Sequence, residues 1–183
     1  MASDMTERYL LEVDKLNSGY GRSQIIFDAS LAVEKGSVCA LLGPNGSGKS
    51  TVMKSIFGLT NIYAGSIRFN GTEIAHMKPH KIARLGIAYL PQVENVYLHL
   101  TVRENFLMAG YALPIHELEA RMKKALEFFP VLERCINRKA LTMSGGERQM
   151  LAMATALIHR PSLMMFDEPG TNLAPRLAET VFE

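Results

Sequence analysis

The sequence predicts an α/β fold: an N-terminal antiparallel β region leads into a strand, a glycine-rich loop and a helix, and a helical insertion separates that unit from a later strand. Two observations carry this reading. The loop Gly43-Pro44-Asn45-Gly46-Ser47-Gly48-Lys49-Ser50 lies between an apolar segment and a helical pattern. From about residue 93 the apolar spacing becomes helix-like, and it returns to a strand pattern at Ser162 to Phe166.

Along the chain, Tyr9 to Leu16 and Ile25 to Val33 are alternating or apolar, with turn residues at Ser18-Gly19-Tyr20-Gly21 and Lys35-Gly36, so two short strands are expected. Ser37 to Leu42 has the pattern of a buried strand, and Lys49 to Phe57 that of a helix which Gly58 can end. Ser66 to Phe69, the turn Asn70-Gly71 and Gly86 to Leu90 supply further strand signals before Pro91 breaks the run. Thr101 and Glu104 form a capping box, and Leu118, Met122, Ala125, Leu126 and Phe129 make a helical stripe between Pro114 and Pro130. The expected organisation is a single domain over 1–183 with a helical subdomain at 93–157.

Composition narrows the function classes. A chain of 183 residues, 48% of them hydrophobic, can bury a substantial core. Its net charge of +2 is spread along the sequence, so no nucleic-acid partner is expected. Cys39 sits in an apolar strand pattern and Cys135 in a polar stretch, without disulfide or metal-ligand spacing, which suits a reducing cytoplasm. Asp4, Glu7, Glu12 and Asp14 interrupt the N-terminus, so no secretory signal is read there. No run approaches the roughly 18 apolar residues that a membrane-spanning helix needs. A membrane role would have to come through a partner.

The chemistry is concentrated in three motifs. Gly43 to Ser50 fits the pattern glycine, four residues, Gly-Lys-Ser between strand and helix. Glycines 43, 46 and 48 allow backbone N–H groups to approach phosphate oxygens, and the helix N-terminus adds unpaired donors. Lys49 is expected on the β- and γ-phosphates of a nucleotide, Ser50 on Mg²⁺, and Thr51 on a further phosphate oxygen, in a loop that kinases and GTPases also use. Asp167-Glu168-Pro169 follows an apolar strand, where Asp167 could hold Mg²⁺ and Glu168 act as general base on a water. An acidic pair before proline is also a common helix cap, and only the phosphate loop favours the catalytic reading. Ser144-Gly145-Gly146-Glu147 opens a helical pattern as a capping box, yet two glycines at its start are costly unless a phosphate must come close to the backbone.

Phosphate loop, Gln92, Ser-Gly-Gly-Glu and Asp167-Glu168, in that order over residues 9 to 183, resemble the ABC (ATP-binding cassette) ATPases. The resemblance implies a P-loop NTPase core of RecA-like type and a sandwich of two modules, identical or related, in which each phosphate loop faces the Ser-Gly-Gly motif of the other. It also implies that Tyr20 stacks on adenine, that Gln92 senses Mg²⁺, water and the membrane partner, and that the chain works on transmembrane permease subunits at the inner face of the membrane. His80 to Gln92, Leu100 to Asn105 and Leu173-Ala174-Pro175 are similar to the ATPases of branched-chain amino acid importers. Met143, Glu147, Thr155 and Ala174 depart from the residues commonest in the family. His76, His80, His99, His116 and His159 all precede Asp167, so none matches the family's switch histidine, and the chain is expected to be a C-terminally truncated, incomplete module of low activity. Competing expectations are a soluble non-transport ABC ATPase, a nucleotide-binding fragment without turnover, and a P-loop kinase. The first lacks its usual insertions here, the second is disfavoured by intact Lys49, Ser50, Asp167 and Glu168, and the third has no use for Ser144-Gly145-Gly146.

Overall fold

The computed structural model describes residues 8–91 and 96–167. Two units are distinguished, 1–89 and 90–183.

In the first unit β1 (Tyr9–Tyr20) and β2 (Ser23–Glu34) form one long hairpin, followed by α1 (Lys49–Ile56), β3 (Asn61–Phe69), β4 (Thr72–Glu73), α2 (Pro79–Arg84) and the start of β5 (Ile87–Leu90). The sheet order is β2-β1-β3-β4, antiparallel throughout. The strands run further than the sequence predicts, because Ser18 to Tyr20 continue β1 and the turn falls at Gly21-Arg22. Val13 faces Leu31 on one side and Ile67 on the other, with Leu11 set between Val33 and Phe69.

The core face of β1 changes parity. Leu11 and Val13 are buried, and then Leu16 and Ser18. One extra residue sits between Val13 and Leu16, where Lys15 takes a left-handed φ of 45°, and Asp28 (φ 46°) balances it on β2. Asn17 stitches both bulges: its Nδ2 donates to the Lys15 carbonyl and to Asp28 Oδ1, while its Oδ1 accepts from Gln24 Nε2. A bulge reverses the in-out alternation beyond it. Opposite, a Cβ on Gly65 would collide with the Asp14 and Lys15 carbonyls, so only glycine fits beside the bulge. Helix α1 packs against β1, with Val52 and Ile56 buried.

One expectation fails. Ser37 to Leu42, predicted as a buried strand, is irregular and exposed, Leu42 at 88%. Among the described residues no strand pairs with it, and an apolar pattern cannot bury itself without a partner. The cysteines are accordingly reversed from their sequence context: Cys39 is exposed and Cys135 buried, both as free thiols, with burial pushing the Cys135 thiol up.

The second unit holds α3 (Val102–Ala109), α4 (Ile115–Phe128), α5 (Pro130–Arg134), a 3₁₀ turn (Ala140–Thr142), α6 (Gly145–Leu157) and β6 (Leu163–Phe166). Helix α6 packs on α3, α4 and α5 around Phe106, Leu132, Leu151, Met153 and Ile158. The α4 stripe lies as predicted, with Leu118 and Ala125 fully inside. The Asp167 N–H donates to the Leu90 carbonyl at 3.0 Å, so the chain leaving β6 lies beside the end of β5. Among the described residues no helix is long and apolar enough to cross a membrane.

Both predicted capping boxes form. Glu104 N–H donates to Thr101 Oγ1 and Thr101 N–H to Glu104 Oε2; Ser144 and Glu147 repeat the pair. The backbone N–H of Thr101, and next its hydroxyl, hold the Glu104 carboxyl below its ordinary value of 4.5, and Ser144 does the same for Glu147. A carboxyl depressed in the folded chain contributes stability that is present above its unfolded value and lost as pH falls through the folded one. The Glu104→Gln, Glu147→Gln double variant is therefore expected to melt below the parent at neutral pH, with the gap narrowing as pH drops below 4.5. A melting gap independent of pH would contradict this.

Candidate functional site

The loop between residues 43 and 50 owes its shape to its glycines and one internal bond. Ser47 N–H donates to the Pro44 carbonyl at 3.2 Å, and Gly46 takes φ 80°. Gly48 is the N-cap of α1 in a left-handed conformation (φ 94°), where a Cβ would also meet Ile26 Cδ1 at 2.6 Å. No side chain caps α1 and its first turn carries no acidic residue. Its first amides thus lack the carboxylate that covers those of α3 and α6. Lys49 Nζ folds back over the loop, donating to the carbonyls of Gly43 at 2.8 Å and Pro44 at 2.9 Å. Uncapped amides, an ammonium and a backbone without obstructing Cβ atoms fit a polyphosphate chain. Thr51, read as a further phosphate contact, is 8% exposed.

Gly48→Ala is expected to cost about 1–2 kcal/mol for the left-handed backbone alone, seen as a lower urea midpoint without nucleotide. Gly145→Ala, whose added Cβ meets open space, should leave the midpoint unchanged or raise it slightly. Equal midpoints for Gly48→Ala and the parent would mean the loop does not need its left-handed cap.

Tyr20 ends β1 and is exposed at the hairpin tip. Two residues before it, buried Ser18 is bonded through its hydroxyl to Ser55 of α1 at 2.8 Å. Ser55 gives its one proton to the Thr51 carbonyl, so Ser18 and Thr60 both act as donors to Ser55. This chain of hydroxyls ties the Tyr20 strand to the phosphate-loop helix, a link that no local pattern announces.

In the second unit Ser144 caps α6 and the Gly145 and Gly146 amides lie in its first turn, where helices leave donors unpaired. A Cβ at either glycine would meet open space, so an anion can reach the backbone there. Glu147 is engaged: one carboxylate oxygen accepts from Ser144 N–H at 2.7 Å and the other lies 3.7 Å from Arg138 Nη1. Its carboxylate serves the cap. Asp167 follows β6 and is 7% exposed. Its carboxylate is a hard oxygen donor of the kind that Mg²⁺ takes. Gln92 and Glu168 lie outside the described residues, as does Leu173-Ala174-Pro175.

The ABC transporter family model matches residues 26–171. The chain is 49% identical to a probable branched-chain amino acid transport ATP-binding protein of Archaeoglobus fulgidus over 95% of its length and 74% of the relative's. It is 40% identical to a high-affinity branched-chain amino acid transport ATP-binding protein of Pseudomonas aeruginosa, over 95% of this chain and 75% of that one. Among solved structures, a nucleotide-free ATP-binding cassette from an ABC transporter superposes with a TM-score of 0.81 at 28% identity, covering 94% of this chain and 74% of the other. With the glycine loop, the capped Ser-Gly-Gly helix and the aspartate after β6 in the family's order, the chain belongs to the ABC transporter family and is an ATP-binding cassette ATPase.

Proposed function

We propose that this ATPase drives import of branched-chain amino acids, working as one of two cassettes bound to permease subunits at the cytoplasmic face of a membrane. The observation that supports the energy step is the loop itself: Lys49 held over a glycine backbone in front of an uncapped helix. Similarity to amino acid transport proteins over 95% of the chain supports the solute class. The cassette is read as one domain over 1–183, with 93–157 as its helical subdomain.

The roles follow from chemistry. Lys49 exchanges its two carbonyl partners for β- and γ-phosphate oxygens, and the backbone N–H groups of Gly43, Asn45, Gly46, Ser47 and Gly48 line the phosphate chain with Ser50 and Thr51, while Pro44, which has no N–H, shapes the loop beside them. Ser50, Gln92 and Asp167 are the proposed ligands of Mg²⁺, which when bound would offset the negative charge of the phosphates. Glu168 accepts the proton of the attacking water. Tyr20 stacks on adenine. Ser144, Gly145 and Gly146 offer a hydroxyl and two amides to the nucleotide held by the partner cassette, and Glu147 keeps that helix end in shape.

The test is ATP turnover in vesicles carrying the permease subunits, with and without the solute-binding protein loaded with leucine, isoleucine or valine. Stimulation by the loaded protein is expected. Turnover indifferent to all three amino acids would overturn the solute, and turnover indifferent to the permease would favour a soluble, non-transport ATPase.

A further inference from the structure

The hairpin tip that presents Tyr20 is held by side chains from a different strand. β3 pairs with β1 so that Gly19 faces Asn61 and Ser18 faces Ile62. Asn61 therefore begins β3 level with the end of β1. Its Oδ1 accepts the Gly21 N–H at 2.8 Å. Two residues on, at the register shift between Ile62 and Ala64, Tyr63 donates its hydroxyl to the Gly21 carbonyl at 3.0 Å and lies 3.4 Å from the Ser23 carbonyl. Both polar backbone groups of Gly21, the residue after Tyr20, are thus bound by β3 side chains. Gly21 is left-handed (φ 59°), as a tight hairpin turn requires, and without a Cβ its own sterics do little to restrict the turn. On the other side of Tyr20, Ser18 is tied to Ser55 and so to the helix behind the phosphate loop.

We propose that Asn61 and Tyr63 are positioning residues that set Tyr20 for the nucleotide base and thereby determine how much of the binding affinity comes from adenine. The proposal rests on the reading of Tyr20 as the adenine-stacking residue. Neither β3 side chain needs to touch the nucleotide; each acts through Gly21. Backbone held in one conformation on both sides of Tyr20 leaves less freedom to lose when a base stacks on the ring, so preorganisation appears as affinity. The plain alternative is that the two bonds only strengthen the hairpin, in which case every ligand of the loop would be affected alike.

The experiment separates the two with MgATP and magnesium inorganic triphosphate, which shares the phosphates and lacks the base, each titrated calorimetrically. Tyr63→Phe, which removes one hydroxyl, should weaken MgATP roughly three- to tenfold, the range expected for a lost hydrogen bond, and leave triphosphate unchanged. Asn61→Ala should behave likewise, while Asn61→Asp, which keeps an acceptor for the Gly21 N–H, should restore MgATP affinity. In a Tyr20→Ala background, Tyr63→Phe should cause no further loss. Equal weakening of both ligands, no weakening of MgATP, or losses that add to that of Tyr20→Ala would each overturn the clamp. If Tyr20→Ala itself left the preference for MgATP over triphosphate unchanged, the adenine reading of Tyr20 would fall, and the clamp with it.

Discussion

Lys49→Ala is expected to remove most of the stabilisation that MgATP gives this chain. A ligand at a hundredfold excess over its Kd stabilises the native state by about 2.7 kcal/mol. For a domain of this size that is roughly 5–11 °C in melting temperature. The Lys49 ammonium is the charged donor that lies over the loop, within 2.8–2.9 Å of the Gly43 and Pro44 carbonyls. Its loss leaves the loop with backbone dipoles alone against a polyphosphate. Both proteins must also be melted without nucleotide, because the substitution removes two hydrogen bonds from the empty loop. The ligand-dependent increment is the quantity to compare. The same increment in parent and variant would sink the assignment of Lys49.

Glu168→Gln is expected to abolish turnover and trap a dimer in ATP that falls apart in ADP. A carboxamide cannot take a proton from water, while both phosphate-binding surfaces remain. Adding Ser144→Arg should abolish the dimer, since a long cation would fill the open space in front of Gly145 and Gly146 where the partner's nucleotide is proposed to sit. Ser144 also caps α6, and losing a cap costs about 1 kcal/mol. Ser144→Ala, which loses the cap but keeps the space, is the control and should still dimerise more readily than Ser144→Arg. Sedimentation in each nucleotide reads the outcome. A Glu168→Gln protein that stays monomeric at high concentration in ATP would count against the two-cassette sandwich.

The chemistry was legible wherever it depends on a few consecutive residues. A left-handed cap needs glycine, so Gly48 could be read in the sequence; the capping boxes at Thr101-Glu104 and Ser144-Glu147 depend on residues three apart and form as expected. The strand ending at Phe166 and the α4 stripe follow from local periodicity. Glu147 closes the cap that its spacing from Ser144 predicts, because a bond to an amide three residues away is always within reach.

By itself, then, the sequence determined the phosphate loop, the caps, the order of the motifs and hence the family, since these are set by backbone conformations that particular residue types prefer. Tertiary structure alone decided the rest. The bulge at Lys15 switches which residues of β1 are buried, and its effect depends on strands β2 and β3 that pair on either side. Ser37 to Leu42 carries a strand's composition but lacks a paired strand among the described residues, and stays exposed. Asn61 and Tyr63 meet Gly21 from 40 and 42 residues away, and Ser55 meets Ser18 from 37. Such contacts arise only when sheet register aligns distant segments, and side-chain periodicity within one segment holds no information about the register of the next.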